Sequence, residues 1–275
     1  MAERIRSGDP SGDLALRGVA HRLGTKQVLC GVDLTVHAGE VVALLGPNGS
    51  GKSTLLRAGS RALRPDSGAV LLDGVALAQR SAAELARELT ALEQEPRAGF
   101  DFTVGEVVGF GRLPHLGRFA EPGERDHLAV ARALEITDIV HLEARAISSL
   151  SSGERQRAWL AMALAQEPRV LLLDEPTAYL DLAHQLATME IIVRRAAAGL
   201  AVLFATHDLS LAVAYAQRLL LLADGRVVAD GTPREVVTEA NIERAYGARV
   251  RLLRDDEGVP IAVVPQHVRN PSRAW

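Results

Sequence analysis

Four short apolar runs recur along the chain, each closed by a turn or a polar residue. They are Val41-Val42-Ala43-Leu44-Leu45, Val170-Leu171-Leu172-Leu173, Ala201-Val202-Leu203-Phe204-Ala205 and Leu219-Leu220-Leu221-Leu222. None alternates with polar residues, which is how strands covered on both faces of a parallel sheet read. Helical patterns separate them, so β-α-β units and an α/β core are predicted. Several helix starts are punctuated. Ser81-x-x-Glu84 and Thr103-x-x-Glu106 read as capping boxes, and Thr232-Pro233-Arg234-Glu235 adds a proline at the first helical position. Upstream, residues 14–40 read as short alternating strands, Val32-Asp33-Leu34-Thr35-Val36 among them.

The pattern changes over about 95–149, which lacks a strong strand signal. Gly and Pro cluster at Gly109-Phe110-Gly111 and Leu113-Pro114, and a helical run follows at 124–134. This predicts a mostly helical subdomain inserted into a main domain of residues 14–264. Residues 1–13 mix charges with Gly and Pro and read as a flexible N-terminus without the apolar core of a signal peptide. Residues 265–275 read as a loose tail. The most apolar stretch, 200–223, is interrupted by His207, Asp208, Gln217 and Arg218. It falls short of the roughly 20 apolar residues that cross a bilayer, so any membrane role is expected to be peripheral.

Composition narrows the picture. A chain of 275 residues suits one large domain, or a core domain with an insertion. At 48% hydrophobic and 24% charged it can bury a sizeable core. A net charge of -3 gives no general attraction to nucleic acid. Cys30 is the sole cysteine, which excludes a disulfide within the chain and fits a reducing compartment.

The first apolar run ends in Gly46-Pro47-Asn48-Gly49-Ser50-Gly51-Lys52-Ser53-Thr54, a fit to G-x-x-x-x-G-K-[ST]. Glycines let the backbone wrap phosphates so that successive N–H groups point inward. A helix beginning near Lys52 turns its positive end to the same anion. Lys52 then reaches the β- and γ-phosphates, and the Ser53 hydroxyl is a ligand for Mg²⁺. The bland alternative is a glycine turn before an ordinary helix. The buried strand before the pattern and the helical run Thr54-Leu55-Leu56-Arg57 after it weigh against that.

A second apolar run ends in Asp174-Glu175-Pro176, which puts two carboxylates at the carboxyl edge of the sheet, where open α/β folds bind ligands. Asp174 is then positioned to hold Mg²⁺, and Glu175 to orient or deprotonate an attacking water. A third strand ends at Thr206-His207-Asp208, with His207 leaving on the same edge. The other seven histidines have no metal-ligand spacing of the H-E-x-x-H kind.

Leu150-Ser151-Ser152-Gly153-Glu154-Arg155-Gln156-Arg157 resembles the signature motif of ATP-binding cassette (ABC) proteins. Ser151-x-x-Glu154 is also a capping box, so the same helix start serves as an ordinary cap or as an anion site. Gln94 resembles the family's Mg²⁺-linked glutamine, and Ala178-Tyr179-Leu180-Asp181 resembles the loop that contacts a second subunit. His207 matches the switch histidine. The resemblance covers nearly the whole chain. It implies a P-loop NTPase (RecA-like) α/β core with an antiparallel β subdomain and an inserted, mostly helical subdomain. It also implies a head-to-tail dimer of two copies sandwiching ATP and Mg²⁺. In that frame Glu175, His207 and Gln94 are catalytic, and Ser53, Gln94 and Asp174 hold the metal. Gly46 to Thr54, Ser151, Ser152, Gly153, Glu154 and Asp181 bind the nucleotide.

Two positions depart from the family. Ser152 replaces the usual glycine, and Leu23-Gly24 stands where an aromatic residue would stack on adenine, with His21 as a substitute candidate. A single phosphate loop, no sustained heptads and no basic stripe argue against a soluble cassette ATPase acting on nucleic acid. An importer is preferred to an exporter because three stretches resemble ATPases of the iron-siderophore, haem and cobalamin importers. They are residues 102–115, residues 206–222, and Gly231-Thr232-Pro233-Arg234-Glu235-Val236-Val237 leading to Ala245-Tyr246-Gly247. The implied partners are integral-membrane permease subunits and, indirectly, a substrate-binding protein, at the cytoplasmic face of the membrane. Iron-siderophore is the first expected cargo, with haem or cobalamin next.

Overall fold

The computed structural model describes residues 13–93, 102–117 and 120–265. Gln94, most of the expected N-terminal segment and residues 266–275 of the expected tail lie outside them. Strands β1 (Leu14–Leu23) and β2 (Lys26–Val36) form a hairpin, and β3 (Val41–Leu45) leads through a loop into α1 (Lys52–Gly59). Strand β4 (Ser67–Leu72), the two-residue β5 (Val75–Ala76), α2 (Ala82–Glu88) and β6 (Leu89–Leu92) follow. Helices α3 (Val104–Phe110), α4 (Glu124–Ile136) and α5 (Ser152–Ala165) come next. The chain then alternates through β7 (Val170–Asp174), α6 (Leu182–Ala197), β8 (Ala201–Ala205), α7 (Leu209–Tyr215) and β9 (Arg218–Ala223). It ends with β10 (Arg226–Gly231), α8 (Pro233–Val236), α9 (Glu239–Tyr246) and the hairpin β11 (Val250–Arg254) and β12 (Pro260–Pro265).

The main sheet runs β10-β9-β3-β8-β7-β6, parallel except for the antiparallel edge strand β10. The continuous apolar runs have the reason anticipated for them. Along β3, Val41, Ala43 and Leu45 enter one hydrophobic cluster, while Val42 and Leu44 enter the other. β7, β8 and β9 split the same way, so both faces of the sheet are covered. A second sheet, β2-β1-β4-β5, is antiparallel throughout and packs over one face. The fold is thus the α/β arrangement with an antiparallel sheet and a helical part that the sequence implies.

The apolar-run pattern does not predict β4, β6 or β10. β6 follows α2 with no intervening turn residue and carries a buried Thr90 in its middle. β10 is an edge strand with intermediate burial and little apolar signal.

The helical part has a fixed attachment. The last carbonyls of α5 have no intrahelical partner, and the segment after α3 supplies donors. Arg112, 5% exposed, donates to the Ala165 carbonyl at 2.7 Å, to Asp126 at 2.9 Å and to Glu167 at 2.9 Å. His115 Nε2 donates to the Gln166 carbonyl at 2.8 Å. One arginine therefore ties the end of α3 to the start of α4 and the end of α5, its charge at the negative helix end.

Candidate nucleotide site

The loop between β3 and α1 is shaped by its glycines. Gly46 has φ +148 and Gly51 φ +107, regions that L side chains rarely adopt. A Cβ at Gly46 would also overlap the Leu222 carbonyl oxygen of β9, and one at Gly51 would sit 2.8 Å from the Val28 carbonyl oxygen. The loop thus threads between β9 and the β1–β2 hairpin with no room for a side chain at Gly46 or Gly51. Gly225 donates to the Ser50 carbonyl at 3.1 Å, fastening the loop to the β9–β10 turn. The buried Tyr246 hydroxyl of α9 lies against the Gly46 backbone; burial raises its pKa and that contact opposes the rise.

Lys52, 7% exposed, folds back so that Nζ donates to the Gly46 carbonyl at 2.8 Å and the Pro47 carbonyl at 3.1 Å. Burial lowers its pKa, and the carboxylates of Glu175 and Asp174 oppose that shift. A cleft of about 440 Å³ opens here, lined by Leu23, Lys26 and Val28 of the hairpin, by loop residues including Asn48, Lys52 and Ser53, and by Glu175. Leu23 is half exposed on its wall. The His21 ring is instead mostly buried, 3.6 Å from Asp66, and does not line the cleft. His21 is therefore not placed to substitute for an aromatic stack, and Leu23 presents the cleft with only an aliphatic surface.

Asp174 ends β7, and burial pushes its carboxyl up. A hydrogen bond from the Ser53 side chain opposes that rise, and Glu175 adds to it. Glu175 takes φ +51, unusual for a non-glycine residue. Its amide donates to the Ala205 carbonyl at 3.0 Å, and its carbonyl accepts from the Ala178 amide at 3.1 Å. This backbone turn swings the carboxylate off the strand end, a local cost of order 1–3 kcal/mol of the kind found at functional sites. His207 Nδ1 stands 3.3 Å from Glu175 Oε2. Its backbone is held on both sides, because buried Thr206 accepts from the Asp208 amide at 3.0 Å and Asp208 caps α7.

Ser151, Ser152, Gly153 and Glu154 start α5, with the expected capping box: the Glu154 amide donates to Ser151 Oγ and the Ser151 amide to Glu154 Oε2. Those bonds from Ser151 hold the Glu154 carboxyl below its ordinary range. Asp181 caps α6 and is held low in the same way, chiefly by the His184 amide. These residues do not line the cleft at the sheet edge. They gather at the starts of α5 and α6, where Ser152 Oγ donates to the Tyr179 carbonyl at 3.5 Å, and Tyr179 in turn lines a smaller cavity of about 200 Å³ with Glu175 and His207. The structure thus brings together Gly46 to Thr54, Asp174, Glu175 and His207, and groups Ser151 to Glu154 with Asp181 elsewhere.

The sequence reading assigned nothing to Arg112 or His184. Arg112 lacks any motif signal. His184 is marked only by lying three residues after the capping Asp181.

Known proteins resemble this chain in sequence and in fold. Residues 29–178 match the family model described as ABC transporter. The hemin import ATP-binding protein of Myxococcus xanthus (strain DK1622) is 47% identical over 260 residues, 92% of this chain and 97% of its own length. The ferric enterobactin transport ATP-binding protein of Escherichia coli (strain K12) is 41% identical over 263 residues, 94% and 97% of the two lengths. Among solved structures, a chain of a metal-chelate-type ABC transporter in an inward-facing conformation superposes with a TM-score of 0.81 at 27% identity, covering 94% of this chain and 98% of that one.

Proposed function

The chain belongs to the ABC transporter family, and from that membership we propose that it is the ATP-hydrolysing subunit of an importer for iron-bearing chelates. It is an ATPase of the siderophore, haem and cobalamin importer branch. The observation that carries the catalytic reading is one sheet edge bearing a buried lysine in a glycine loop, a half-buried carboxylate and a second carboxylate beside a histidine.

Each residue has a task that its surroundings support. The loop from Gly46 to Thr54 holds the phosphates through its backbone N–H groups, and Lys52 neutralises their charge. The donor set of Ser53 and Asp174 fits a divalent cation, because Asp174 is a carboxylate whose burial is only partly offset. Held by Ser53, Asp174 and Gln94, a magnesium ion would screen the phosphate charge. Glu175 accepts the proton of the attacking water, and His207 orients it at 3.3 Å.

The helix start at Ser151 to Glu154 and the loop at Asp181 lie away from this cleft, which supports their engaging nucleotide on a second, head-to-tail copy. Closure of that dimer on ATP drives the permease, and hydrolysis resets it. Among the described residues no helix is long and apolar enough to cross a membrane, in keeping with a peripheral subunit bound to separate permease proteins at the cytoplasmic face.

Iron-siderophore is the first cargo. Haem is the second reading, favoured by 47% identity to the hemin relative against 41% to the enterobactin relative. The test is uptake of labelled ferric siderophore and of hemin in iron-starved cells lacking this gene, complemented with wild type or Glu175→Gln. Wild type should restore uptake of one cargo and Glu175→Gln should not, while the purified variant still binds ATP. Rapid hydrolysis by Glu175→Gln would remove Glu175 from the base role.

A further inference from the structure

Two glycine positions of the signature segment have different surroundings. Ser152, the first residue of α5, is exposed and directs its hydroxyl to the Tyr179 carbonyl. Gly153 is buried, and a Cβ there would lie 2.7 Å from His184 Cγ and 2.9 Å from Nε2, deep inside van der Waals contact. The side chain that forbids a larger residue at 153 thus belongs to the start of α6.

The His184 ring is itself anchored. Its Nδ1 is 2.7 Å from Asp181 Oδ1, the same oxygen that accepts the His184 amide at 2.9 Å. The next residue, Gln185, donates through Nε2 to the Leu180 carbonyl at 3.1 Å and the Thr177 carbonyl at 3.4 Å. Adjacent side chains of α6 therefore grip the 177–181 loop from one side and the start of α5 from the other. That loop is joined directly to Glu175, whose carbonyl accepts the Ala178 amide. An N-cap aspartate needs only the amide of the residue three places on; the imidazole contact with Gly153 is additional to capping.

We propose that His184 is a positioning residue that locks the start of α5 to the Asp181 loop, so that the two surfaces meeting the second copy move as one unit. This rests on the reading that Ser151 to Glu154 engages nucleotide on that copy. Ser152 is tolerated because its side chain points along the loop. Gly153 is required because the ring of His184 occupies the space a side chain would need. Any residue larger than glycine at 153 must push that ring away from Asp181.

The test uses the full chain in a Glu175→Gln background and measures ATP-dependent dimerisation by light scattering, with affinity of the single chain for a fluorescent ATP analogue as a second readout. His184→Ala should weaken dimerisation about tenfold and leave nucleotide affinity within about twofold, and Gly153→Ala should weaken dimerisation to a similar extent. The double variant Gly153→Ala/His184→Ala should be no worse than the poorer single variant, because removing the ring removes the overlap. His184→Asn, which keeps a polar group toward Asp181 but not the ring over Gly153, should fall between wild type and His184→Ala. Additive losses, or His184→Ala dimerising like its parent, would overturn the inference while leaving the two-copy reading intact. A parent that remains monomeric with ATP would overturn the two-copy reading and the inference with it.

Discussion

Replacing Arg112 by methionine should detach the helical part from its anchor while keeping most of the side-chain volume. The arginine is 5% exposed and satisfies the Ala165 carbonyl, one of the orphan acceptors at the end of α5. Leaving a buried acceptor unpartnered costs about 1–3 kcal/mol. Losing a cation at a partly buried helix C-terminus adds about 0.3–2 kcal/mol. The pair with Glu167, whose side chain is half exposed, adds at most about 1 kcal/mol. The sum is about 3 kcal/mol, roughly a 150-fold shift in the folding equilibrium. At about 2–4 °C per kcal/mol for a chain of this size, the melting temperature should fall by about 6–12 °C. Thermal melts by circular dichroism measure this, with urea unfolding as a check that the slope is unchanged. Arg112→Lys keeps the charge but gathers its donors on one nitrogen, where the arginine spreads them over Nε and Nη1, so it should fall between the two. A melting temperature for Arg112→Met within 2 °C of wild type, about the loss expected from the exposed Glu167 pair alone, would refute the capping argument. The Asp126 arm also has a pH signature. Its carboxyl is held below the ordinary value of 3.8 chiefly by Arg112, so its contribution is intact above that value and is lost as the pH falls further.

Asp174→Asn should raise the melting temperature of the chain without nucleotide at neutral pH while abolishing Mg²⁺-dependent hydrolysis. Burial raises the Asp174 pKa, so the ionised form is a cost at neutral pH and the gain should shrink as acid protonates the wild-type carboxyl. Leu23→Tyr, on the cleft wall, should tighten ATP binding by about fivefold to a hundredfold through base stacking, measured by calorimetry; an unchanged affinity would place adenine elsewhere. Gly46→Ala should weaken nucleotide binding by at least tenfold, a loss of about 1.4 kcal/mol, because the added Cβ overlaps the Leu222 carbonyl; near-wild-type binding would show that the loop adapts.

The elements legible in the sequence are those whose burial is symmetric or whose ends are chemically marked. β3, β7, β8 and β9 are covered on both faces, so their runs stand out. α2, α3, α5 and α8 begin with capping boxes that the Ser/Thr-x-x-Glu spacing announces. β6 is four residues long with a polar residue inside it, and β10 is half exposed, so neither leaves a periodic trace. The site follows the same division. Lys52, Ser53, Asp174, Glu175 and His207 sit at strand ends or in a glycine loop, where local sequence dictates geometry. Arg112 and His184 act on partners 53 and 31 positions away in the chain, on Ala165 and Gly153, and no local rule encodes such a contact.

The ionisable groups of the cleft point to what the loop is built to accept. Burial drives Lys52 down and Asp174 up, each toward its neutral form. The protein therefore under-compensates one positive and one negative charge on the same rim. Among the described residues the Lys52 ammonium donates to two carbonyl oxygens, and Asp174 accepts from a hydroxyl with a second carboxylate beside it; the attraction between Lys52 and Asp174 offsets burial only in part. A phosphate chain answers the first deficit and a divalent cation the second, and neither answers both. The proposed metal–nucleotide complex would meet both, and its binding would then relieve a cost already present in the folded chain. The positive φ of Glu175 is a cost of the same kind. It accompanies a carboxylate that stands beside His207, at 3.3 Å, while Asp174 accepts a hydrogen bond from Ser53, and that difference in partners is what the proposed division of tasks between two adjacent acids rests on.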